Sequence, residues 1–254
     1  MSLRRNIVLS IAAIVLVCSF FMPNGVAGIM DSRRLDNLTI IDTQRFNFEV
    51  VSELSLMQRI ALAASTSAEI MAIETGQVME MEAAGSMAVS ELVRFIGGSG
   101  IAVEASEYVV QSGSAVFVID SADPSVNMIM WDFTLSDNHS SQVTLTIDDE
   151  TGVILKMIYQ SNADILSEEI VEEVISGSTF FESADPSGDV MRTAALVLTE
   201  MMTAYYGRPV SLTAYELAVS GTLAYYMAEL RGDGVDTPMF GVIRANGFTM
   251  NERT

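Results

Sequence analysis

The chain has 254 residues, of which 50% are hydrophobic and 18% are charged, a composition that supports a packed core and excludes general disorder. Its formal net charge is −20, its pI is near 4.2 and its only lysine is Lys156, so its surface would repel nucleic acids and anionic lipid headgroups. The single cysteine, Cys18, and the single histidine, His139, exclude internal disulfides and zinc sites built from several cysteines or histidines.

The first 30 residues have the features of a targeting segment. Arg4 and Arg5 precede an apolar run over residues 7–22, an order typical of segments inserted with the N-terminus inside. Two fates remain open, namely cleavage after Ala27 as a signal peptide, or retention as a single-pass membrane anchor. The length of the apolar stretch favours the anchor, because residues 7–30 would nearly span roughly 30 Å of hydrocarbon if helical throughout. Pro23 and Gly25 interrupt that helix and favour cleavage instead. In both cases we expect the remaining chain to lie outside the cell membrane, tethered or secreted.

A polar linker is predicted over residues 31–54, followed by a first folded unit over 55–160. Ser55 and Gln58 have the spacing of a capping box, which predicts the start of a short helix. A second helix is predicted over 81–96, where apolar residues recur at steps of three and four before two glycines.

After those glycines the apolar residues recur at every second position, the period of a β-strand. In residues 142–148, for example, Val143, Leu145 and Ile147 share one face, and polar residues including Asp148 occupy the other. One buried and one solvent-exposed face is typical of an antiparallel sheet covered by a helix. The predicted strands are 101–110, 114–120, 127–135, 142–148 and 152–159.

A second unit is predicted over residues 161–254. It would contain a glutamate-rich helix over 163–177 and a helix over 190–206, which Gly207 would end. The buried face of the latter helix is predicted to consist of Val190, Ala194, Val197, Met201 and Ala204. Three strands are predicted to follow, over residues 210–221, 222–232 and 238–248. The expected fold is therefore α+β, with an N-terminal hydrophobic helix followed by two helix-plus-antiparallel-sheet units in tandem.

The acidic turn, residues 148–152, is the clearest candidate for a cation site. Calcium loops place oxygen ligands at alternating positions over about a dozen residues. Here Asp148, Asp149 and Glu150 are consecutive, so their side chains diverge and cannot all face one ion. A hairpin turn in which Gly152 has a positive φ is the preferred interpretation.

Other motifs are weaker indications of chemistry. His139 and Ser140 are neighbours in a predicted loop and lack the strand-to-helix setting of a catalytic nucleophile. Residues 231–233 read Arg-Gly-Asp, and residues 168–173 contain four glutamates that fit a solvated helix face. No phosphate-binding loop, dinucleotide fingerprint or set of metal ligands is present in the sequence. We therefore expect no catalytic residue, no cofactor and no metal site, although a pair of carboxylates that meets only in the fold stays possible.

The stretch over residues 143–160, "VTLTIDDETGVILKMIYQ", resembles the closing hairpin of PepSY-type exported domains, which often reads strand, Asp-x-x-Thr-Gly, strand. Asp148, Thr151 and Gly152 match that pattern, and the preceding strand carries Trp131 where the family tends to have a tryptophan. The resemblance covers roughly residues 81–159. It implies a helix packed on an antiparallel sheet and a non-catalytic module that is inhibitory, regulatory or partner-binding, often anchored to a bacterial membrane.

The sequence thus predicts a non-enzymatic, membrane-tethered bacterial protein that acts through contacts with a protein partner at the outer face of the membrane. The candidate contact residues are Met128, Met130, Tyr225 and Tyr226, each of which could instead pack in the core. Two alternatives are an envelope sensor of a ligand and a cell-wall hydrolase with a carboxylate pair. A hydrolase predicts carboxylates about 5–10 Å apart in a cleft, whereas a binding module predicts an exposed apolar patch or an open sheet edge.

Overall fold

One antiparallel sheet of nine strands organises the described part of the chain, and three helices accompany it. The computed structural model describes residues 53–97, 108–137, 141–162, 190–218, 221–232 and 234–251. The helices are α1 (Leu56–Ala64), α2 (Met81–Gly97) and α3 (Val190–Tyr206). The strands are β1 (Ala68–Ile73), β2 (Tyr108–Asp120), β3 (Asn127–Asp137), β4 (Ser141–Asp148), β5 (Ile154–Ser161), β6 (Val210–Leu217), β7 (Leu223–Gly232), β8 (Val235–Arg244) and β9 (Gly247–Met250).

The order of strands across the sheet is β1-β2-β3-β4-β5-β9-β8-β7-β6. The expected fold of two tandem units, each with its own sheet, is therefore wrong. The last strand, β9, pairs with β5 and also with β8, so the second set of strands continues the first sheet. Tyr159 of β5 lies opposite Phe248 of β9, and their stacked rings are 5.5 Å apart at the centroids. This pairing satisfies backbone groups of β5 that would otherwise form a sheet edge.

The chain does mix helices with strands, as expected, but the N-terminal hydrophobic helix cannot be compared with the structure. That segment, residues 1–30, lies outside the described residues, as does almost all of the predicted linker and the glutamate-rich helix over 163–177. Among the helices that the structure describes, none is both long enough and apolar enough to span a membrane.

Two strand assignments differ from the predicted pattern because of local geometry. The predicted break before residue 114 is absent, and β2 continues through it with a β-bulge between Val110 and Ser112. A Cβ at Gly113 would lie 2.6 Å from Cδ1 of Phe133, so this glycine permits the close approach of a ring and does not form a turn. The predicted strand over 238–248 is instead the hairpin of β8 and β9, and β1 was not predicted.

The predicted start of α1 and the predicted start and end of α2 are confirmed. The capping box of α1 is present, with Ser55 Oγ accepting from Gln58 N at 3.4 Å and Gln58 Oε1 accepting from Ser55 N at 2.9 Å. Helix α2 ends at the predicted glycines and packs over β2 and β3, where a Cβ at Gly85 would contact Phe133 at 3.6 Å. Small residues on α2 therefore let the helix lie close to the sheet.

Helix α3 has the predicted bounds, but the predicted buried face is wrong by one position. The buried residues of α3 include Met191, Ala195, Leu198, Met202 and Tyr205. Apolar residues surround most of this helix, so helical spacing alone does not identify the buried face. The following residue, Gly207, has a φ of 62° and ends the helix as expected.

Two tyrosines at the end of α3 hold that helix to the sheet through a single residue of β5. Tyr205 Oη accepts from Ile154 N at 2.9 Å and donates to Glu91 Oε2 at 2.5 Å. Tyr206 Oη donates to Ile154 O at 2.9 Å. Burial, with the hydrogen bond to Glu91, raises the pKa of Tyr205, and burial raises the pKa of Tyr206 well above its ordinary value. Both hydroxyls therefore stay neutral and keep these contacts across the physiological pH range.

Candidate protein-binding surface

The acidic turn joins β4 to β5 as the predicted hairpin. Gly152 has a φ of 73°, in the left-handed region that favours glycine. Its N–H donates to Asp148 O at 2.9 Å, and Asp148 N donates to Val153 O at 3.0 Å. The hairpin interpretation of residues 148–152 is confirmed.

Asp148, which was predicted to lie on the solvent-exposed face, is instead buried and paired with a buried arginine. Arg59 Nη1 of α1 donates to Asp148 Oδ1 at 2.7 Å, and Arg59 Nε donates to Leu54 O at 3.0 Å. The other oxygen, Asp148 Oδ2, accepts from Thr151 N at 2.7 Å and from Thr151 Oγ1 at 2.6 Å. The Asp-x-x-Thr-Gly pattern thus describes a carboxylate that caps its own turn and binds α1.

Arg59 also donates to Glu150 through Nη2. Burial lowers the pKa of Arg59, but its hydrogen bond to Glu150 and the charge of Asp148 outweigh that effect, so the pKa is raised overall. The guanidinium therefore remains charged, and it lies between two carboxylates of the acidic turn.

Asp149 accepts four hydrogen bonds from outside the acidic turn. Oδ2 accepts from Gln77 N and from Val78 N, each at 2.8 Å, and Oδ1 accepts from Met79 N at 3.1 Å. The indole Nε1 of Trp131 donates to Oδ1 at 2.7 Å. Asp149 therefore connects the segment that leads into α2 with Trp131 of β3.

Gly76, in the segment that leads into α2, has no space for a side chain. A Cβ at Gly76 would lie 2.6 Å from Met79 O and would overlap the carboxylate of Asp149. We expect Gly76→Ala to lower the free energy of unfolding by about 1–3 kcal/mol, the usual cost of overpacking. Urea denaturation of the full-length chain measures this.

Gly97→Ala is the matched control, because a Cβ at Gly97, the last residue of α2, contacts nothing within 4 Å. It should leave stability unchanged or raise it by up to about 1 kcal/mol. Equal effects of the two substitutions would contradict the packing described around Asp149.

These contacts give the acidic turn a structural role. All four carboxylate oxygens of Asp148 and Asp149 accept hydrogen bonds from the protein. In the part of the chain that the structure describes, no group of three or more histidine, cysteine, aspartate or glutamate residues is placed to hold a metal ion.

Three of the four predicted contact residues are buried. Met128 and Met130 lie in the core at β3, and Tyr226 is buried with its hydroxyl donating to Thr249 O at 2.7 Å. Tyr225 is different, because 51% of its surface is exposed. The adjacent tyrosines of β7 therefore point to opposite faces of the sheet, and only Tyr225 is available for contacts.

Tyr225 belongs to an exposed apolar surface formed by β7 and β8. In the register of these strands Tyr225 lies opposite Val242, and Met227 lies opposite Phe240. Residues two apart on a strand share a face, so these four side chains form one contiguous surface, here named the aromatic patch. Phe240 is 43% exposed, Met227 is half-buried, and Val242 forms the base. Exposed apolar patches of this kind on a sheet are typical of protein-interaction sites.

The rim of the aromatic patch is polar and mixed in charge. On the same face Glu216 of β6 lies opposite Tyr225, and Glu229 of β7 lies opposite Pro238. Glu229 forms a loose ion pair with Arg231, at 3.7 Å. An apolar centre with a charged, solvent-exposed rim is the usual layout of a protein–protein interface.

A separate cavity lies at the ends of β3, β4 and β5. This cavity of ≈ 390 Å³ is lined by Ser136, Asp137, Ser141, Gln142, Gln160 and Asn162. Every lining side chain is polar, so the cavity offers hydrogen bonds and lacks the apolar side chains of a protein-binding centre. The aromatic patch is therefore the better candidate for protein contacts.

Several sequence motifs fall outside the described residues. These are His139 and Ser140, the glutamates over 168–173, and Asp233 of the Arg-Gly-Asp sequence.

Met227 and Phe240 were missed by sequence reasoning, although β7 contained a usable signal. Residues on β7 form two alternating sets, one for each face of the sheet. The first set is residues 223, 225, 227, 229 and 231, and the second contains only Ala, Tyr, Leu and Gly. The first set ends in Glu229 and Arg231, which indicates that its face meets solvent. Tyr225 and Met227 belong to that set, so their exposure followed from the alternation.

Comparison of the chain with protein-family models, with curated proteins and with solved structures finds no match. The resemblance to PepSY-type domains therefore stays a prediction.

Proposed function

We propose that this chain is a non-enzymatic, exported bacterial protein that is tethered to the cell membrane by its N-terminal segment. It acts as a regulatory or accessory module by binding a protein partner at the outer face of that membrane. The aromatic patch is the observation that supports this proposal. Its exposed Tyr225 and Phe240 would otherwise contact water at the cost of unfavourable apolar hydration.

Two features of the sequence also support this proposal. The first 30 residues have the pattern of a targeting segment, which predicts a chain exported to the outer side of the membrane. The resemblance over residues 81–159 implies a regulatory or partner-binding module. For the hydrolase alternative, the buried carboxylates Asp148 and Asp149 are poor candidates for a catalytic pair, because both are engaged in structural contacts.

A photo-crosslinking amino acid at position 225 of the full-length chain, expressed in its native cells, tests this function. We expect a discrete, reproducible cross-linked protein, because an aromatic anchor at an interface centre contacts its partner directly. The same amino acid at Val78, which is 63% exposed but lies outside the sheet, is the control and should give no such product.

With the cross-linked partner purified, Tyr225→Ala and Phe240→Ala should each weaken its binding by about tenfold or more, and Val78→Ala should not. The thermal unfolding midpoints of these variants should stay close to that of the unmodified chain, because the truncated side chains are exposed. Cross-linking that is equal at positions 225 and 78, or that yields no protein at either, would refute the proposed binding surface.

A further inference from the structure

The strand β1 forms one edge of the nine-stranded sheet and has no neighbour on its outer side among the described strands. Its six residues pair with β2 in a continuous register without a bulge. Proteins usually protect such edges with a lysine, a proline or a bulge, and β1 has none of these. Its one charged side chain is Glu69, so this edge can accept a further strand, in particular one of opposite charge.

The hydrogen-bonding pattern shows which backbone groups of β1 face outward. Asp120 N donates to Val126 O, so the even-numbered residues at this end of β2 point their N–H and C=O toward β3. The odd-numbered residues of β2 consequently point toward β1, where they bond to Glu69, Met71 and Ile73. The groups that face outward belong to Ala68, Ile70 and Ala72.

No described residue hydrogen-bonds to those outward groups. The opposite edge of the sheet is different, because Thr203 Oγ1 of α3 accepts from Val210 N at 3.0 Å and lies 3.3 Å from Val210 O. That edge, β6, also contains a bulge between Leu212 and Ala214. The described structure thus protects β6 and leaves β1 open.

Charge indicates what kind of strand would pair with β1. From Arg59 to Arg94 the intervening sequence contains no lysine or arginine and five glutamates, of which Glu69 lies on β1 and Glu74 directly follows it. The neighbouring strand β2 has no basic residue either. Arg59 is buried and already paired with Asp148 and Glu150. A second copy of this chain would bring like charges together, whereas a basic segment would be attracted.

We propose that β1 is an acceptor site for an extended, lysine- or arginine-bearing segment of a partner protein, which adds to the sheet as a tenth strand. Backbone hydrogen bonds to Ala68, Ile70 and Ala72 supply the register, and Glu69 and Glu74 select basic side chains. This site is separate from the aromatic patch and does not depend on the function proposed for that patch.

The test uses the full-length chain and a synthetic peptide of alternating lysine and valine with blocked termini. Binding should slow amide hydrogen exchange in residues 68–73 by about tenfold or more, because the outward N–H groups become hydrogen-bonded. A peptide N-methylated at every second residue cannot form the ladder, and a glutamate–valine peptide has the wrong charge. Neither peptide should slow amide exchange in β1, and raising the salt concentration should weaken binding of the lysine–valine peptide.

Ile70→Pro and Ile70→Val form a matched pair of variants. The proline removes an outward N–H at a position where an edge strand tolerates proline, and it should weaken peptide binding by about tenfold or more. The valine keeps that N–H and should bind within about twofold of the unmodified chain. Thermal unfolding reports separately whether Ile70→Pro folds; if it does not, Glu69→Lys replaces it and should weaken binding through charge alone.

Equal binding of the N-methylated peptide, or protection confined to another segment, would overturn the proposal. So would sedimentation of the chain as a dimer that Ile70→Pro dissociates, since a second copy would then occupy β1. Partner binding at the aromatic patch is unaffected by any of these outcomes.

Discussion

Replacing Asp149 with alanine is expected to lower the free energy of unfolding by about 4 kcal/mol. The carboxylate accepts three backbone N–H groups that lead into α2 and the indole N–H of Trp131. Each buried donor left without an acceptor costs about 1–3 kcal/mol. Because Trp131 is buried, bulk water does not replace the lost carboxylate as the acceptor of its indole N–H. Part of the cost is recovered where the segment before α2 relaxes toward solvent.

Trp131 is the only tryptophan of the chain, so its fluorescence reports directly on this contact. Urea titration followed by the emission of Trp131 gives the stability, and the native emission spectrum should change in Asp149→Ala. Asp123→Ala is the control, because the carboxylate of the exposed Asp123 accepts only from Ser125 among the described residues, in the turn between β2 and β3. The control should cost less than about 1 kcal/mol and leave the spectrum unchanged. A change below 1 kcal/mol in Asp149→Ala would contradict the structural role assigned to the acidic turn.

Local patterns in the sequence predict the local parts of this fold well. The capping box of α1, the glycines after α2 and the positive φ of Gly152 each depend on residues within a few positions of one another. The alternation in β3 and β4 also identifies a buried face that the structure confirms, with Trp131, Phe133 and Leu145 fully buried. Such features follow from backbone geometry and capping, which act over short sequence distances.

The parts that could not be predicted depend on contacts between distant residues. Arg59 and Asp148 are 89 positions apart, and nothing near either residue indicates that the other is its partner. Pairing of β5 with β9 joins the two halves of the sheet, yet each half alone reads as a complete helix-and-strand unit. The face that a strand exposes is partly predictable, as the alternation around Tyr225 shows. The residues that complete a surface across strands, such as Phe240 opposite Met227, depend on register.

The contact between Arg59 and Asp148 gives the second prediction with a large expected effect. Arg59→Met is expected to lower the free energy of unfolding by about 3–5 kcal/mol, because it leaves the buried carboxylate of Asp148 without its cation. The loss should be concentrated at α1, whose attachment to the acidic turn passes through this side chain. Amide hydrogen exchange should therefore accelerate in residues 56–64 more than in the strands β3 and β4.

A double-mutant cycle with Asp148→Asn measures the interaction energy between Arg59 and Asp148 apart from the contacts that each makes with other groups. If Arg59 acts on Asp148, the double variant should be more stable than the sum of the two single effects predicts, with a coupling energy of about 1–3 kcal/mol. Arg231→Met is the control, since Arg231 is exposed and lies 3.7 Å from Glu229, and it should cost less than about 1 kcal/mol. Additive single effects would show that Arg59 stabilises the chain mainly through Glu150 and Leu54. A coupling energy in the expected range would instead show that the buried pair itself attaches α1 to the acidic turn.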